Sequence, residues 1–324
     1  MDLCRFRYVF GPVRSRRLGL SLGVNNVPYK TCSYSCTYCQ LGRTTDLTIE
    51  RRPFFEVNQV VNEVHAFIDR FDSEVDYVTF VPDGEPLLDI RIGETISRIK
   101  EVTSKPIAVI TNSSLLYLEE ARADIAYADL VSIKIDSVLC RSWKAVNRPH
   151  PDLELENVLA GVEEFAKSFK GRLVTETMLV EGFNTSAEEL EQISSYIRKI
   201  NPVKAYIAVP VRPPAESYVK PPEPSKLVEA YTLFTKALGE DRVELLNLPE
   251  PPEYKVYGDS ETWLLNLVSV HPLRLNYAVR ALERIVEDPL AVIEKLKMSG
   301  EIRVVIYEGE DFIVRAFNNQ RLLK

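Results

Sequence analysis

Cysteine is scarce in this 324-residue chain, with five residues in all, an odd number that cannot all pair. Three of them lie within eight residues, and Cys4 and Cys140 are isolated, which excludes a disulfide framework and points to a metal site instead. Long apolar runs are missing as well. No uncharged stretch is long enough to cross a bilayer, so no membrane span is expected. The segment Met1 to Phe10 has Arg5 and Arg7 but neither an apolar core nor a small-residue cleavage site, so no secretory leader is expected and the cytoplasm is the expected compartment. Basic residues are outnumbered 40 to 47, for a net charge of −7. That argues against a global electrostatic hold on DNA, while leaving room for a local basic patch. No internal repeat or low-complexity tract stands out. What remains is an ordinary globular balance, 45% hydrophobic and 27% charged, at a length that suits one large domain and a small one.

Strand-like runs alternate with amphipathic helices. Val75–Val81, Ile107–Thr111, Leu130–Ile135, Leu173–Val180 and Ala205–Val211 are dominated by β-branched, aromatic and other apolar residues and are expected as buried strands, with an earlier one at Leu18–Val24. Between them, Val57 to Phe71 places Val57, Val60, Val61, Val64, Phe67, Ile68 and Phe71 on one stripe, and Leu153 to Phe169 and Ser186 to Ile200 behave alike, the last with Ser186 as N-cap. Strand–helix alternation of this kind predicts an α/β fold with a parallel sheet whose carboxyl ends share one rim. About six units fall short of a closed eight-fold barrel, so a partial (β/α)6 barrel is expected over residues 1–248. The proline-rich stretch Pro210 to Pro224 is expected to run extended and to cover the barrel mouth. After Pro249, Pro251 and Pro252 the pattern changes. Helices are expected at Ser260–Val270 with Ser260 as cap, at Asn276–Ile285, and from Asp288-Pro289 to Gly300. A hairpin of Ile302–Tyr307 and Phe312–Phe317 then turns at Glu308-Gly309-Glu310-Asp311. Residues 249–324 therefore predict a small winged-helix-like module.

The cysteine cluster reads Cys32-Ser33-Tyr34-Ser35-Cys36-Thr37-Tyr38-Cys39, a C-x3-C-x2-C spacing. So short a spacing requires a loop, and one loop can wrap an iron–sulfur cubane and offer three thiolates to three irons. The fourth iron is then open to an external chelate, as in catalytic metal sites. Structural zinc is the competing reading. It wants a fourth ligand, and although His65 or Cys140 is of the right type, nothing in the sequence pairs either with the loop.

On these residues the chain resembles the radical S-adenosylmethionine (SAM) superfamily. The loop has the family's spacing and an aromatic, Tyr38, before its last cysteine, and Asp83-Gly84-Glu85-Pro86 after a strand resembles its G-E-P motif. Further segments (Tyr8 to Gly19, Gln40 to Thr44, Val146 to His150 and Val211 to Glu216) resemble stand-alone radical SAM Fe–S oxidoreductases distantly similar to the tRNA wyosine-base synthases. The resemblance implies a [4Fe–4S] cluster on Cys32, Cys36 and Cys39. It implies a SAM site drawing on Tyr38, on Asp83, Gly84, Glu85 and Pro86, on Asn112, and on Lys134 and Asp136, which also read as a buried ion pair. Gly84 is expected to free the backbone to turn and Pro86 to stop the strand. The carboxylate of Glu85 or the carbonyls beside it are expected to accept from the SAM ammonium. Glu176 and Met178 are expected to point inward. Two departures stand out: Asp83 where relatives usually have serine or glycine, and Asn112-Ser113 where asparagine-glycine is common.

The activity implied is reductive cleavage of SAM to a 5′-deoxyadenosyl radical that takes hydrogen from a substrate. A one-electron donor of ferredoxin or flavodoxin type is needed, because no second cysteine set exists for an auxiliary cluster. The substrate is expected to be an RNA base or nucleotide, with a small phosphorylated metabolite as another option, on the distant wyosine likeness and the basic N-terminal residues Arg5, Arg7, Arg14, Arg16, Arg17, Lys30, Arg43, Arg51 and Arg52. The plainer view is that these arginines pair with acidic helices. Arg16, Arg17, Arg148, His150 and Arg212 are the candidate substrate contacts, and His271, before Pro272 at a helix start, is expected to be structural. The alternatives are a glycyl-radical-enzyme activase acting on a partner protein and, from another class, a zinc-stabilised nucleic-acid-binding regulator. The third module helix and acidic hairpin turn offer a major groove little, so the module is expected as a lid, dimer element or docking unit.

Overall fold

The computed structural model describes residues 6–249 and 251–316. Strands β1 (Val9–Ser15) and β2 (Gly19–Val24) come first, followed by the two-residue strands β3 (Thr31–Cys32) and β4 (Asp46–Leu47). Then α1 (Val57–Phe71) leads to β5 (Tyr77–Phe80), α2 (Ile92–Val102) to β6 (Ile107–Thr111), and α3 (Glu119–Ile125) to β7 (Leu130–Lys134). Helices α4 (Cys140–Asn147) and α5 (Leu155–Ser168) precede β8 (Arg172–Met178), α6 (Ala187–Ile200) precedes β9 (Lys204–Ala208), and α7 (Pro224–Leu238) precedes β10 (Val243–Leu246).

The main sheet has the order β1-β2-β5-β6-β7-β8-β9-β10. Only β1 runs antiparallel to its neighbour; the other seven strands are parallel. With β1 and β10 as its two edges, the sheet is an open, partial barrel. The six expected strands are all present, most of them a few residues shorter than their apolar runs. Two more were not expected. β1 is an edge strand interrupted by Gly11-Pro12, and β10 is a four-residue run at the opposite edge. Alternation along each strand divides the apolar residues between two layers. On β7, Val131 and Ile133 join the core under the helices, while Leu130 joins Leu18, Ala108, Val174, Tyr206 and Ala208 on the concave side. Helix α1 buries Val57, Val60, Val61, Val64, Phe67 and Ile68, the stripe read from sequence, at about 1.5–3 kcal/mol per side chain. Ser186 caps α6 by accepting from the Glu189 amide at 3.2 Å.

The C-terminal region builds a second core. Helix α8 (Ser260–Val270), β11 (Leu273–Arg274), α9 (Leu275–Leu282), α10 (Pro289–Met298), β12 (Ile302–Tyr307) and β13 (Glu310–Arg315) enclose Trp263, Leu264, Leu267, Leu282, Ile293 and Ile313. The strand order is β11-β13-β12. Asp288 caps α10 and Pro289 opens it, as expected, but the cap of α8 is Asp259 rather than Ser260. Asp259 sits in extended backbone and accepts from the Thr262 amide at 2.9 Å, so Ser260 becomes the first helical residue. His271 closes α8 instead of starting a helix. The hairpin turns on Glu308 and Gly309 alone, both at positive φ, so β13 starts two residues earlier than expected. Phe317, at the end of the expected strand, lies outside the described residues, as do Cys4 and Arg5. Val13 of β1 packs into this second core, and Asn266 donates to the Phe6 carbonyl at 3.0 Å. Among the described residues no helix is long and apolar enough to cross a membrane.

Candidate functional site at the carboxyl rim

The cysteine loop leaves β3 and lies on the rim formed by the strands' carboxyl ends. Because it is irregular, its amides need partners from elsewhere, and the end of α4 with the turn after it supplies them. Thr37 donates to the Val146 carbonyl at 2.9 Å, Ser35 to those of Asn147 and Arg148, and His150 donates to that of Ser33 at 2.8 Å. Beneath the loop, Tyr34 meets Trp143 edge-on and accepts its indole N–H at 3.1 Å. On top, the irregular stretch after Pro210, which bends at Arg212 and turns at Glu216–Val219, crosses the loop, and the Glu216 amide donates to the Thr37 carbonyl at 3.1 Å. The Glu216 carboxylate takes a two-pronged bond from Arg43 and another from Arg148, and those two arginines hold it down at about 2.

Cys32, Cys36 and Cys39 are free and half-buried. Each sulfur receives a nitrogen donor from a different place: Cys39 from the Lys30 ammonium at 3.1 Å, Cys32 from the Asn112 amide at 3.6 Å, and Cys36 from the Asn147 amide at 3.5 Å. Burial pushes the Cys36 thiol up to about 11 and raises Cys32 further, with Glu85 adding to the shift at Cys32. A cationic group bound to the sulfurs would reverse that penalty. Three thiols on one loop, with donors aimed at their sulfurs, fit an iron–sulfur cubane. Structural zinc would want a fourth ligand beside the three thiols, and the two candidates lie elsewhere. His65 is partnered by Asp69 on α1, and Cys140 is exposed at the start of α4.

The Asp83–Pro86 segment is zipped to the strand that begins the loop. Lys30 donates to the Asp83 carbonyl at 3.0 Å and Glu85 to the Thr31 carbonyl at 3.1 Å. A β-carbon on Gly84 would lie 1.8 Å from the Thr31 oxygen, so the glycine serves close approach and not a turn. Pro86 opens a short 3-10 turn, Pro86–Leu88, with Glu85 as its cap, some way beyond the end of β5. The Glu85 carboxylate is fully engaged. It accepts from the Thr111 hydroxyl at 2.6 Å and from the amides of Asn112 and Leu87 at 2.8 and 3.1 Å. Burial nevertheless lifts it to about 7. It braces the ends of β5 and β6, and a ligand ammonium must look to other acceptors in the segment. One is the Asp83 carboxylate, 6% exposed, whose Oδ2 accepts from Asn25 at 2.9 Å while Oδ1 has no partner. Ser113, where glycine is common, stands at φ +65° and is tied down by its hydroxyl donating to the Lys134 carbonyl at 2.7 Å.

Lys134 pairs with Glu176 at 3.0 Å, not with Asp136, because strand alternation aligns Lys134 and Glu176 in register across β7 and β8. Arg17 binds the same carboxylate. Burial alone would raise Glu176, but the two cations carry it down to about 2. Asp136 instead accepts from the Tyr38 hydroxyl, from Asn147 at 2.7 Å and from the Met178 amide at 2.8 Å. The Lys134 ammonium lies 4.8 Å from the centre of the Tyr38 ring. Tyr38, Asp136, Asn147, Lys134, Glu176 and Arg17 thus form one linked cluster beside Cys36.

Other candidates are engaged in contacts within the chain. Arg16 donates to the carbonyls of Leu246 and Leu248 at the end of β10, and Arg51 and Arg52 pair with Asp124 and Asp46. His150 serves through its backbone amide, and its ring accepts from the Asp152 amide at 3.3 Å. Arg148 has left-handed backbone and grips the Ser35 carbonyl at 2.6 Å. Arg212 lies beside Gln40 and His271, away from the inner cluster. Sequence reasoning did not single out Asn147 and Glu216, each of which sits inside a quoted segment, and it listed Lys30 only as one charge among many.

The model of the radical SAM superfamily matches residues 26–195. A UPF0026 protein of Methanocaldococcus jannaschii is 39% identical over 94% of this chain and 95% of its own length. Among solved structures, a radical SAM methyltransferase from Sphaerobacter thermophilus aligns with 70% of this chain and 66% of its own at a TM-score of 0.50 and 13% identity. Streptococcus suis SuiB bound to S-adenosylmethionine aligns with 69% and 51% at a TM-score of 0.51 and 12% identity, and both likenesses concern the fold. The chain belongs to the radical SAM superfamily and to its UPF0026 proteins, and it is an enzyme whose cofactors are a [4Fe–4S] cluster and S-adenosylmethionine.

Proposed function

We propose that Cys32, Cys36 and Cys39 hold the cluster and that the rim around them binds SAM for radical chemistry on a nucleotide or RNA base. The observation that carries this is the set of three free thiols on one rim loop, each with its own nitrogen donor. Held by Cys32, Cys36 and Cys39 and given one electron from outside, such a group would supply reductive cleavage of SAM to a 5′-deoxyadenosyl radical able to take hydrogen from a substrate.

The chain's own residues prepare the place. Lys30, Asn112 and Asn147 stabilise negative charge on the sulfurs. Glu85 and Gly84 hold the segment after β5 against the loop, and the open oxygen of Asp83 accepts the SAM ammonium. Lys134 and Arg17, balanced by Glu176 and Asp136, place two cations on the rim for the SAM carboxylate or ribose. Tyr38, fixed by Asp136 and Asn147, offers its ring to the adenine. Glu216, clamped by two arginines, keeps the arm over the loop and water out. The superfamily draws its electron from outside, here from a ferredoxin or flavodoxin type of donor. Residues from 249 onward act as a winged-helix-like module.

Anaerobic reconstitution with iron and sulfide tests the reading. A brown protein is expected, colourless in the triple Cys→Ala variant, that releases 5′-deoxyadenosine from SAM with dithionite. Bound zinc without iron would overturn the proposal in favour of the zinc-stabilised regulator. Faster SAM cleavage on adding RNA supports the substrate class, and faster cleavage only with a partner protein favours a glycyl-radical activase.

A further inference from the structure

A cleft of about 660 Å³ opens where three parts of the chain meet. These are the shoulder Gln40–Thr45 that follows the last cysteine, the arm at Pro213–Ser217, and the sheet of the C-terminal region. Its size falls in the range of about 300–1,000 Å³ usual for small-ligand sites. Among the described residues its walls carry Arg43, Arg303 and Arg315, the last paired with Glu301 at 3.9 Å, and no carboxylate, in a protein whose net charge is −7. Arg43 and Arg148 share the single charge of Glu216, so that corner is positive on balance. Arg303 is exposed on β12 and has no ion pair among the described residues. Two aromatic residues, Tyr29 and Tyr307, complete the lining. Tyr29 joins the cleft to the site: its hydroxyl donates to the Leu41 carbonyl at 3.0 Å, and Asp83, Cys39, Arg303 and Arg315 all lie within its electrostatic reach.

We infer that this cleft binds a nucleotide-sized phosphate ester, with Arg303 on the phosphate, Arg43 adding charge beside it while it stays forked on Glu216, and the tyrosines beside the base. Guanidinium forks match phosphate oxygens in pairs, and aromatic rings accept any base on their faces. A concave site bounded on three sides suits a compact ligand better than a flat acidic partner. The inference deepens the reading above by naming the substrate's class and seat, and rests on it only for calling that ligand the substrate. It also gives the C-terminal region a task, since one wall is its own sheet.

Binding is read by calorimetry on the full-length protein, with and without the cluster, using the four ribonucleoside 5′-monophosphates, the matching nucleosides, a 5′-phosphorylated pentaribonucleotide and an oligoglutamate peptide. At least one monophosphate or the pentamer is expected to bind at least tenfold more tightly than any nucleoside. Arg303→Ala should weaken that binding at least fivefold and Arg303→Lys less, with iron content unchanged. A free-nucleotide ligand shows as preference for the monomer, and an RNA end as preference for the pentamer. Equal binding of nucleosides, no binding of any phosphate ester, indifference to Arg303→Ala, or binding of the oligoglutamate alone would overturn the inference. Because binding does not require the cluster, its failure leaves the cysteine-loop proposal standing, and failure to load iron leaves the cleft intact.

Discussion

At the scale of single residues, the rim is packed more tightly than its motifs suggest. Gly84 lies where any β-carbon would press on the Thr31 carbonyl, so the backbone beside Cys32 would have to part. Gly84→Ala is expected to lower unfolding stability by about 3 kcal/mol in urea titrations and to weaken iron retention; an unchanged midpoint would contradict the close-approach argument. Glu176 makes a second case. It is 12% exposed and neutralises part of the charge of both Arg17 and Lys134. Glu176→Gln leaves Arg17 without its carboxylate and Lys134 with only the nearby charge of Asp136, and about 3 kcal/mol of stability should disappear in the same titration. Glu176→Leu offers no better partner to either cation and should lose at least as much. Were the glutamine variant as stable as the parent, the triad would be an incidental surface pairing.

At the scale of elements, the arm and the cysteine loop are joined by one charged clamp, and pH reads its strength. Arg43 and Arg148 hold Glu216 at about 2, below its ordinary 4.5. A carboxylate depressed in the folded state contributes stability that is fully present above pH 4.5 and is lost as pH falls from 4.5 towards 2. The thermal midpoint of the parent should therefore exceed that of Glu216→Gln at neutral pH, and the gap should close across that acid window; a constant gap would remove the charge from the explanation. That the arm stays out of the sheet was readable in advance, because prolines forbid pairing; its bends and the turn at Glu216–Val219 were not. Nor was the arm's fastening, since Glu216 meets Arg43 and Arg148 from far along the chain. The same holds for the site. Spacing marked Cys32, Cys36 and Cys39, and resemblance to the family's G-E-P motif marked Asp83 to Pro86. The register that gives Lys134 to Glu176 instead of Asp136 follows from which strands become neighbours, which no local pattern states. Among the strands, long β-branched runs declared themselves, while β1 and β10 did not. One carries a Gly-Pro interruption at an edge, and the other is only four residues long.

At the scale of the molecule, two separate apolar cores meet along β1, where Val13 reaches from the barrel sheet into the second core. The two tryptophans fall one to each part. Trp143 supports the cysteine loop, and Trp263 is 6% exposed among Leu264, Leu267 and Leu282. A core as small as the second depends heavily on its largest side chain. Truncating a buried tryptophan costs about 3–5 kcal/mol, comparable to the whole stability of a small module. Trp263→Ala is therefore expected to open the region beyond Pro252 to limited proteolysis while Trp143 fluorescence still reports a folded barrel. Iron should load as before, because every cysteine and every nitrogen donor to sulfur lies before residue 150. Nucleotide binding should be lost, because one wall of the cleft is the module's sheet. If instead the variant unfolds in a single transition and loses iron together with the module, the two cores form one cooperative unit, and the boundary near residue 249 marks a change of pattern without independence.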